Sequence, residues 1–483
     1  MKNRNYSALI LALCLLVSCG GGADTPETVT DTDSEVVTDT TEAVTEETDG
    51  LPEADFGGES FTMLIRDGQK YEFDVESENG DIVNDAVYNR NRKVEERLNI
   101  KLEFISQPCA WGDESTAFNK KVRQDSMAGD NSYQVIAGYT PMIAALIGEK
   151  LFQDWSTVPH IDLDRRWWAK GINDTMTIND HIYMITGDSA LTIWSYSRCF
   201  FFNQKMAETV SDESLYEIVH DGRWTYDMLV SLTKNAYSDL NGNTEADAED
   251  RYAIATNLDQ DIYAYQTSFD LPMYTVGDDG FPKLNIASDR AQDALEKLNA
   301  LYWNEPGAFV YKGATEQDLI TLFDGGNLLL LAASLENSTA LRENNTEFGI
   351  LPYPKFDEAQ PEYRNTLGDS YTSFLLPNGS DMELAGMVME AMASESCKLV
   401  VPAFYEVVCK NKVARDEESV KMLELIRETL CFDFVFMNSS TMNYAAHTMV
   451  DCFRSNNGNL QSKYASKQAF AEKAFDKLLE PYR

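Results

Sequence analysis

The chain has 483 residues, and its hydrophobic share of 43% is ordinary for a globular protein. Its 79 acidic residues against 40 basic ones leave a net charge of −39. That balance argues against binding to nucleic acid and against charge-driven adhesion to anionic lipid. Beyond the N-terminus no apolar run reaches the length of a membrane span.

Lys2 and Arg4 precede an apolar stretch, Ala8 to Leu16, that is too short to span a bilayer and remain there. Leu16-Val17-Ser18-Cys19, followed by Gly20, Gly21 and Gly22, resembles the bacterial lipobox. The resemblance implies a signal peptide at 1–18 and lipidation of the Cys19 thiol. Stable anchoring then comes from two or more acyl chains, since one chain binds only marginally. Residues 19–55 read as an acidic linker, because Asp24 to Asp55 is rich in Thr, Asp, Glu and Val and holds no Lys, Arg or aromatic residue. Such a segment cannot bury enough apolar surface to offset its ordering entropy, so a disordered, self-repelling tether is expected.

The body that follows is long enough to ask for two cores. It opens with strand and helix signals in alternation. Ser60 to Ile65 is a strand-length apolar run, Asp81 to Leu98 has a helical period, and Lys101 to Ile105 is a second strand. Thr116 to Met127 reads as helix and Tyr133 to Ala137 as a third strand. Alternation of this kind implies a parallel sheet wrapped by helices. Ligands sit beyond the carboxyl ends of such strands, which singles out Gln107 to Gly112 and Gly138 to Pro141. Leu328 to Ala333 has the length of a buried strand. Late in the chain, Ser380 and Glu383 form a capping-box pattern ahead of Leu384, Met387, Val388, Ala391 and Met392. A last helix over Ser466 to Leu479 aligns Phe470, Ala474, Phe475 and Leu478.

Signals for catalysis are poor. His160, His181, His220 and His447 are scattered, and no phosphate loop, nucleophile elbow or dinucleotide fingerprint occurs. With 79 acids, a close carboxylate pair carries no information. After Cys14 and Cys19, six of the eight cysteines remain, and either disulfides or buried free thiols suit them. One loop stands out. Asp239, Asn241, Asn243, Glu245, Asp247 and Asp250 place oxygen side chains at loop positions one, three, five, seven, nine and twelve. Alternate residues of a tight loop can converge on a hard cation, so a structural Ca2+ is expected. The loop departs from the EF-hand pattern at Thr244, where glycine is usual, and at Asp250, where Glu is usual. A strand signal from Arg251 to Ala255 also replaces the exiting helix.

Several segments in order resemble the extracellular solute-binding lipoproteins of bacterial carbohydrate-type ABC importers (family 1 solute-binding proteins). They are Trp167-Trp168, Thr177 to Tyr183, Thr186-Gly187-Asp188, Phe201-Phe202-Asn203-Gln204-Lys205, the acidic loop, Leu322 to Asn327 and Gly349 to Pro352. The resemblance runs from about Phe56 to near the C-terminus. It implies an α/β, two-lobed periplasmic-binding-protein-like fold of type II. Each lobe would be a mainly parallel sheet wrapped by helices, with a multi-stranded hinge between them. The corresponding division is 56–190 and 331–396 in the first lobe, 191–330 in the second, and C-terminal helices at 397–483 mostly on the second. Crossings between lobes are expected near Ser189 to Ser197, near Leu328 to Glu336, and near the start of the C-terminal helices. The implied function is capture of an extracellular carbohydrate, an oligosaccharide, by lobe closure without catalysis. The implied partner is an importer permease. The protein would be a monomer held to the outer face of the cell membrane by lipid alone.

A sugar cleft needs aromatic faces interleaved with planar polar groups. Trp111 and Asp113 follow the second strand, and Tyr139 follows the third. Asp188, Trp194, Tyr196 and Arg198 lie at the first crossing, Glu336 and Asn337 at the second, and Asp369 and Tyr371 further on. These are the candidate ligand contacts; Trp167 and Trp168 are assigned to the core. A surface glycoside hydrolase and a glycan-binding adhesin or sensor remain as alternatives.

Overall fold

A computed structural model describes residues 47–483, apart from 130, 131, 259, 260, 279, 342–345 and 410–416. The signal peptide, Cys19 and most of the acidic linker lie outside the described residues. Two sheets organise the body. The first runs in the order β11-β3-β1-β2, from β1 (Glu59–Arg66), β2 (Ile100–Gln107), β3 (Val135–Tyr139) and β11 (Thr372–Leu375). β1 pairs in parallel with β2 and β3, and β11 joins β3 antiparallel. The helix Ile82–Leu98 connects β1 to β2. Asp81 caps it by accepting from the backbone N–H groups of Val83 and Asn84.

The second sheet holds β4 (Arg198–Asn203), β5 (Tyr252–Thr256), β8 (Ala308–Val310), β9 (Leu328–Ser334) and β10 (Phe348–Leu351), in the order β10-β4-β9-β5-β8. It is mixed: β4 lies antiparallel to both β10 and β9, while β5 is parallel to β9 and β8. A small hairpin of β6 (Tyr274–Val276) and β7 (Pro282–Leu284) stands apart. β4 and β9 are buried along their whole length, as expected of central strands covered on both faces. Successive side chains of a strand point to opposite faces. Cys199 and Phe201 therefore enter a core continuous with the first sheet, while Phe200 and Phe202 enter a second core with Trp224 and Tyr353.

Four chain segments lie side by side where the two sheets meet. Leu335 N–H donates to the Ser197 carbonyl at 3.0 Å, and Arg198 N–H donates to that of Thr366 at 2.8 Å. Gly368 N–H donates to Tyr196 at 2.8 Å, and Asn365 exchanges bonds with Thr429 and Cys431. This is the multi-stranded hinge. The first crossing falls just before β4. The second differs: the chain touches the hinge after β9 but returns as β10 to the second sheet, where the expected division had given it to the first lobe. It crosses back between β10 and β11.

The C-terminal helices divide between the sheets instead of gathering on the second. Met382–Cys409 packs along Ile82–Leu98, Glu417–Glu428 packs on β10, and Thr448–Arg454 packs on Asp289–Asn304. Gln468–Leu478 returns to Ile147–Glu149 beside the first sheet. Two local expectations are corrected. Asp381, not Ser380, caps Met382–Cys409, accepting from Glu383 and Leu384 N–H, while the Ser380 hydroxyl donates to the Gln134 carbonyl. In the last helix the buried stripe is Ala471, Phe475 and Leu478, and Phe470 is 58% exposed. Cys109, Cys199, Cys397, Cys431 and Cys452 are all free thiols.

Candidate ligand-binding site

The carboxyl ends of β1 and β3, the start of β11, the hinge and the end of β9 converge on one edge. Arg66, the last residue of β1, is buried, and its Nε donates to Thr372 Oγ1 at 3.1 Å. That hydroxyl in turn donates to the carboxylate of Glu72, which is fully buried and also accepts from the N–H and hydroxyl of Thr192. The Glu72-Thr372-Arg66 relay thus fixes the guanidinium between β1, β11 and the hinge approach. Arg66 lies 5.9 Å from the centre of the Tyr139 ring, and its buried Nη2 has no partner among the described residues. A buried donor without an acceptor is costly unless a ligand or water supplies one.

Tyr139 donates to Asp369 at 3.3 Å. Its phenol is pushed well above the ordinary range, first by burial and then by that carboxylate. Across the hinge, Gln69 Nε2 donates to the Tyr196 hydroxyl at 3.4 Å. Arg198 donates to Ser334 Oγ at 3.1 Å and lies 3.7 Å from Glu316. Asn337 donates to the same Glu316 carboxylate at 3.2 Å. Glu336 beside them is raised, first by burial and then by repulsion from Glu316, against the pull of Arg198. The first sheet, the hinge and the second sheet therefore each contribute polar groups to one open edge.

Exposed aromatic faces come from the segment after β2 and from the C-terminal part of the chain. Trp111 is 57% exposed and Tyr444 is 39% exposed, with ring centres 6.4 Å apart. Tyr444 meets His447 edge-on at 5.5 Å, and His447 stacks on Phe436 at 4.6 Å. Burial lowers the His447 imidazole to about 4, helped by Arg454 and Lys467 and opposed by Asp451, so it is neutral at physiological pH. Asp113 is exposed at the first residue of the helix Asp113–Ala128.

Three expected ligand contacts are buried elsewhere. Trp194 is 3% exposed, between the Arg427 guanidinium at 5.2 Å and the Tyr405 ring at 6.5 Å. Asp188 is buried against Arg427 at 2.6 Å; burial raises its carboxyl and Arg427 opposes the rise. Tyr371 is fully buried against Phe432. None of the three can reach a ligand, because core side chains already surround them. Arg66, Gln69, Glu316 and Tyr444 were missed. The strand-end rule reaches Arg66 once β1 extends one residue past Ile65; no local signal marks the other three.

In the acidic loop, Asp239 accepts from the backbone N–H of Gly242 and Thr244, at 2.6 and 3.0 Å. Asn241 and Asn243 each accept from the N–H two residues on, and Asp247 accepts from Asn243 Nδ2 at 2.7 Å. Glu245 is exposed. Thr244 has φ 65, the left-handed turn that an EF-hand assigns to glycine at this position. Asp250 is fully buried; one oxygen accepts from Leu240 N–H and the other has no partner among the described residues. Among the described residues, no three His, Cys, Asp or Glu side chains stand close enough together to hold an ion. The donor set would have to include asparagine and backbone oxygens, which the loop contains, and a cation would satisfy the orphaned Asp250 oxygen.

No protein-family model and no curated protein sequence matches the chain. Solved structures do. A galacto-N-biose/lacto-N-biose I-binding protein of a Bifidobacterium longum ABC transporter, in complex with lacto-N-biose, matches with a TM-score of 0.58 at 12% identity, over 87% of this chain and 98% of its own. UspC of M. tuberculosis matches with 0.54 at 12% identity, over 86% and 100%. An ABC substrate-binding protein of Listeria monocytogenes in complex with cycloalternan matches with 0.52 at 11% identity, over 87% and 99%. The coverage is nearly complete on both sides, and the two sheets and the hinge are those described above: the chain has the two-lobed, periplasmic-binding-protein-like fold of these substrate-binding proteins.

Proposed function

We propose that the protein captures an extracellular oligosaccharide between its lobes and delivers it to the permease of an ABC importer, without transforming it. The observation that carries this reading is the convergence of Arg66, Tyr139, Tyr196, Arg198, Glu316 and Glu336 from both sheets and the hinge on one edge, in a chain that also exposes the paired rings of Trp111 and Tyr444. Planar polar groups suit hydroxyls, and exposed rings suit the C–H face of a sugar. Two of the structural matches hold lacto-N-biose and cycloalternan. The test is a thermal-shift screen of the protein against a glycan panel, followed by small-angle scattering. A bound glycan raises apparent stability by about 2.7 kcal/mol at a hundredfold excess over Kd, and closure makes the particle more compact. An identical scattering curve at saturation would overturn lobe closure.

One observation favours hydrolysis as a second reading: Glu316 and Glu336 are close enough to repel each other, and paired carboxylates cleave glycosides. Glu316, however, is already engaged by Arg198 and Asn337. Recovery of intact glycan after prolonged incubation supports capture, and cleaved glycan supports hydrolysis. An adhesin or sensor is separated from an importer component by co-purification with a permease.

The reading includes lipidation at Cys19 after removal of 1–18, monomeric display on the outer face of the membrane, and a structural Ca2+ in the Asp239–Asp250 loop. Replacing Cys19 with Ala should release the protein from the membrane fraction. Calcium titration should give one site, weakened by Asp239→Ala; unchanged affinity would rule out this loop.

A further inference from the structure

A cavity of about 210 Å³ lies at the hinge, separate from the edge that holds Arg66 and Arg198. At roughly 30 Å³ per water it has room for about seven waters, far more than one structural water needs. Its walls come from both lobes and from the hinge: Tyr263 and Gln266 from the helix Asp261–Ser268, Arg364 from the hinge strand, and Phe436. Thr175, from the first-lobe side, closes it by donating to the Phe432 carbonyl at 2.6 Å.

The chemistry of the walls restricts what fits. Gln266 is 4% exposed, and its Oε1 has no partner among the described residues. It requires a donor, so an aliphatic occupant would leave it orphaned. Arg364 is paired with Asp270 at 3.5 Å, and the Asp433 carboxylate also lines the wall. Arg364 and Asp270 offset each other, and Asp433 already accepts from the backbone N–H groups of Met273, Val435 and Phe436, so the walls call for neither a free anion nor a free cation. The Tyr263 and Phe436 rings, 5.0 Å apart, form the apolar side. A neutral, hydroxyl-bearing ring satisfies all three conditions. Phe436 also begins a run of rings that leads outward through His447 and Tyr444 to the exposed Trp111.

From the orphaned Gln266 acceptor, the balanced Arg364–Asp270 pair and this run of rings, we infer that the cavity is an end-recognition subsite. It takes one terminal sugar ring of the captured glycan, with a hydroxyl donating to Gln266 Oε1, while the following rings lie along His447, Tyr444 and Trp111. The inference rests on the carbohydrate reading above and adds to it where the chain end sits.

The experiment measures Kd by calorimetry for lacto-N-biose, maltotriose, maltotetraose, cellotetraose and xylotetraose, using the wild type and three variants. Gln266→Leu removes the acceptor at similar volume. Because Gln266 is buried, Val276→Trp serves as a second variant, since Val276 lines the cavity yet is 66% exposed. Trp111→Ala reports on the run of rings alone. The expected result is a Kd raised about tenfold or more by both Gln266→Leu and Val276→Trp, with the melting temperature of unliganded Val276→Trp unchanged. Weakening by Trp111→Ala with no change in Val276→Trp would overturn the subsite while leaving glycan capture standing. Failure of the wild type to bind any of the five would overturn both.

Discussion

Two clusters near the hinge are built from the same residue types and behave as opposites. In one, Asp188, Arg427 and Trp194 are packed together with Cys397 and Tyr405, and the ion pair at 2.6 Å is fully enclosed. In the other, Arg66, Arg198, Glu316 and Glu336 share an edge with Tyr196, and one guanidinium nitrogen of Arg66 has no partner among the described residues. The first cluster joins the chain before the hinge to the helix Glu417–Glu428, so its interactions are spent on holding the fold. The second retains unsatisfied capacity that a ligand can use. Residue type alone does not separate structure from binding, and neither does burial of a single side chain, since Arg66 and Trp194 are each 3% exposed; an unsatisfied polar group beside the exposed Glu316 and Glu336 does.

The largest effects should come from breaking the enclosed cluster. Arg427→Ala leaves Asp188 buried and unpaired, which costs about 3–5 kcal/mol. Trp194→Ala costs a similar amount, about 3–5 kcal/mol, through its cavity. Urea unfolding should show both losses, and the glycan affinity of the folded fraction should be little changed. If Trp194→Ala instead abolished binding at full stability, the assignment of the two clusters would be reversed.

A smaller effect is expected on the open side. Trp111→Ala removes an exposed ring, so stability should hold within about 0.5 kcal/mol. Binding should weaken by about 2 kcal/mol, measured by calorimetry with a glycan from the panel.

The smallest effect concerns Glu336. Its folded-state pKa is raised, by burial first and by Glu316 second. The folded protein then holds the proton more tightly than the unfolded chain does. Stability is therefore greater below the ordinary carboxylate range and falls as pH rises through the raised pKa. Glu336→Gln should remove that fall, with a gain under about 0.5 kcal/mol at neutral pH that vanishes in acid. Thermal unfolding across pH checks the sign.

Much of this was legible in the sequence because it is local. The alternation from Glu59 to Tyr139 marks three strands and two helices, and all of them form within a residue or a few of where the pattern places them. The run at Leu328 forms β9, buried on both faces. Asp81 caps its helix through neighbours two and three residues away. Hydrophobic period and capping chemistry are properties of adjacent residues, so they survive without knowledge of the fold.

What the tertiary structure decided depends on residues far apart in the chain. Asp188 and Trp194 looked like ligand contacts until Arg427, 239 residues beyond Asp188, covered them. Arg66 became part of the site because Thr372, 306 residues on, orients its guanidinium. β10 joined the second sheet by pairing with β4, and the C-terminal helices split between the lobes. The sequence by itself determined the elements, the two-lobed class and the polar and aromatic supply at the hinge. Only long-range packing decided which of those side chains were consumed as structure and which were left open to a ligand, because burial is set by what comes to lie against a residue, and not by its neighbours in the chain.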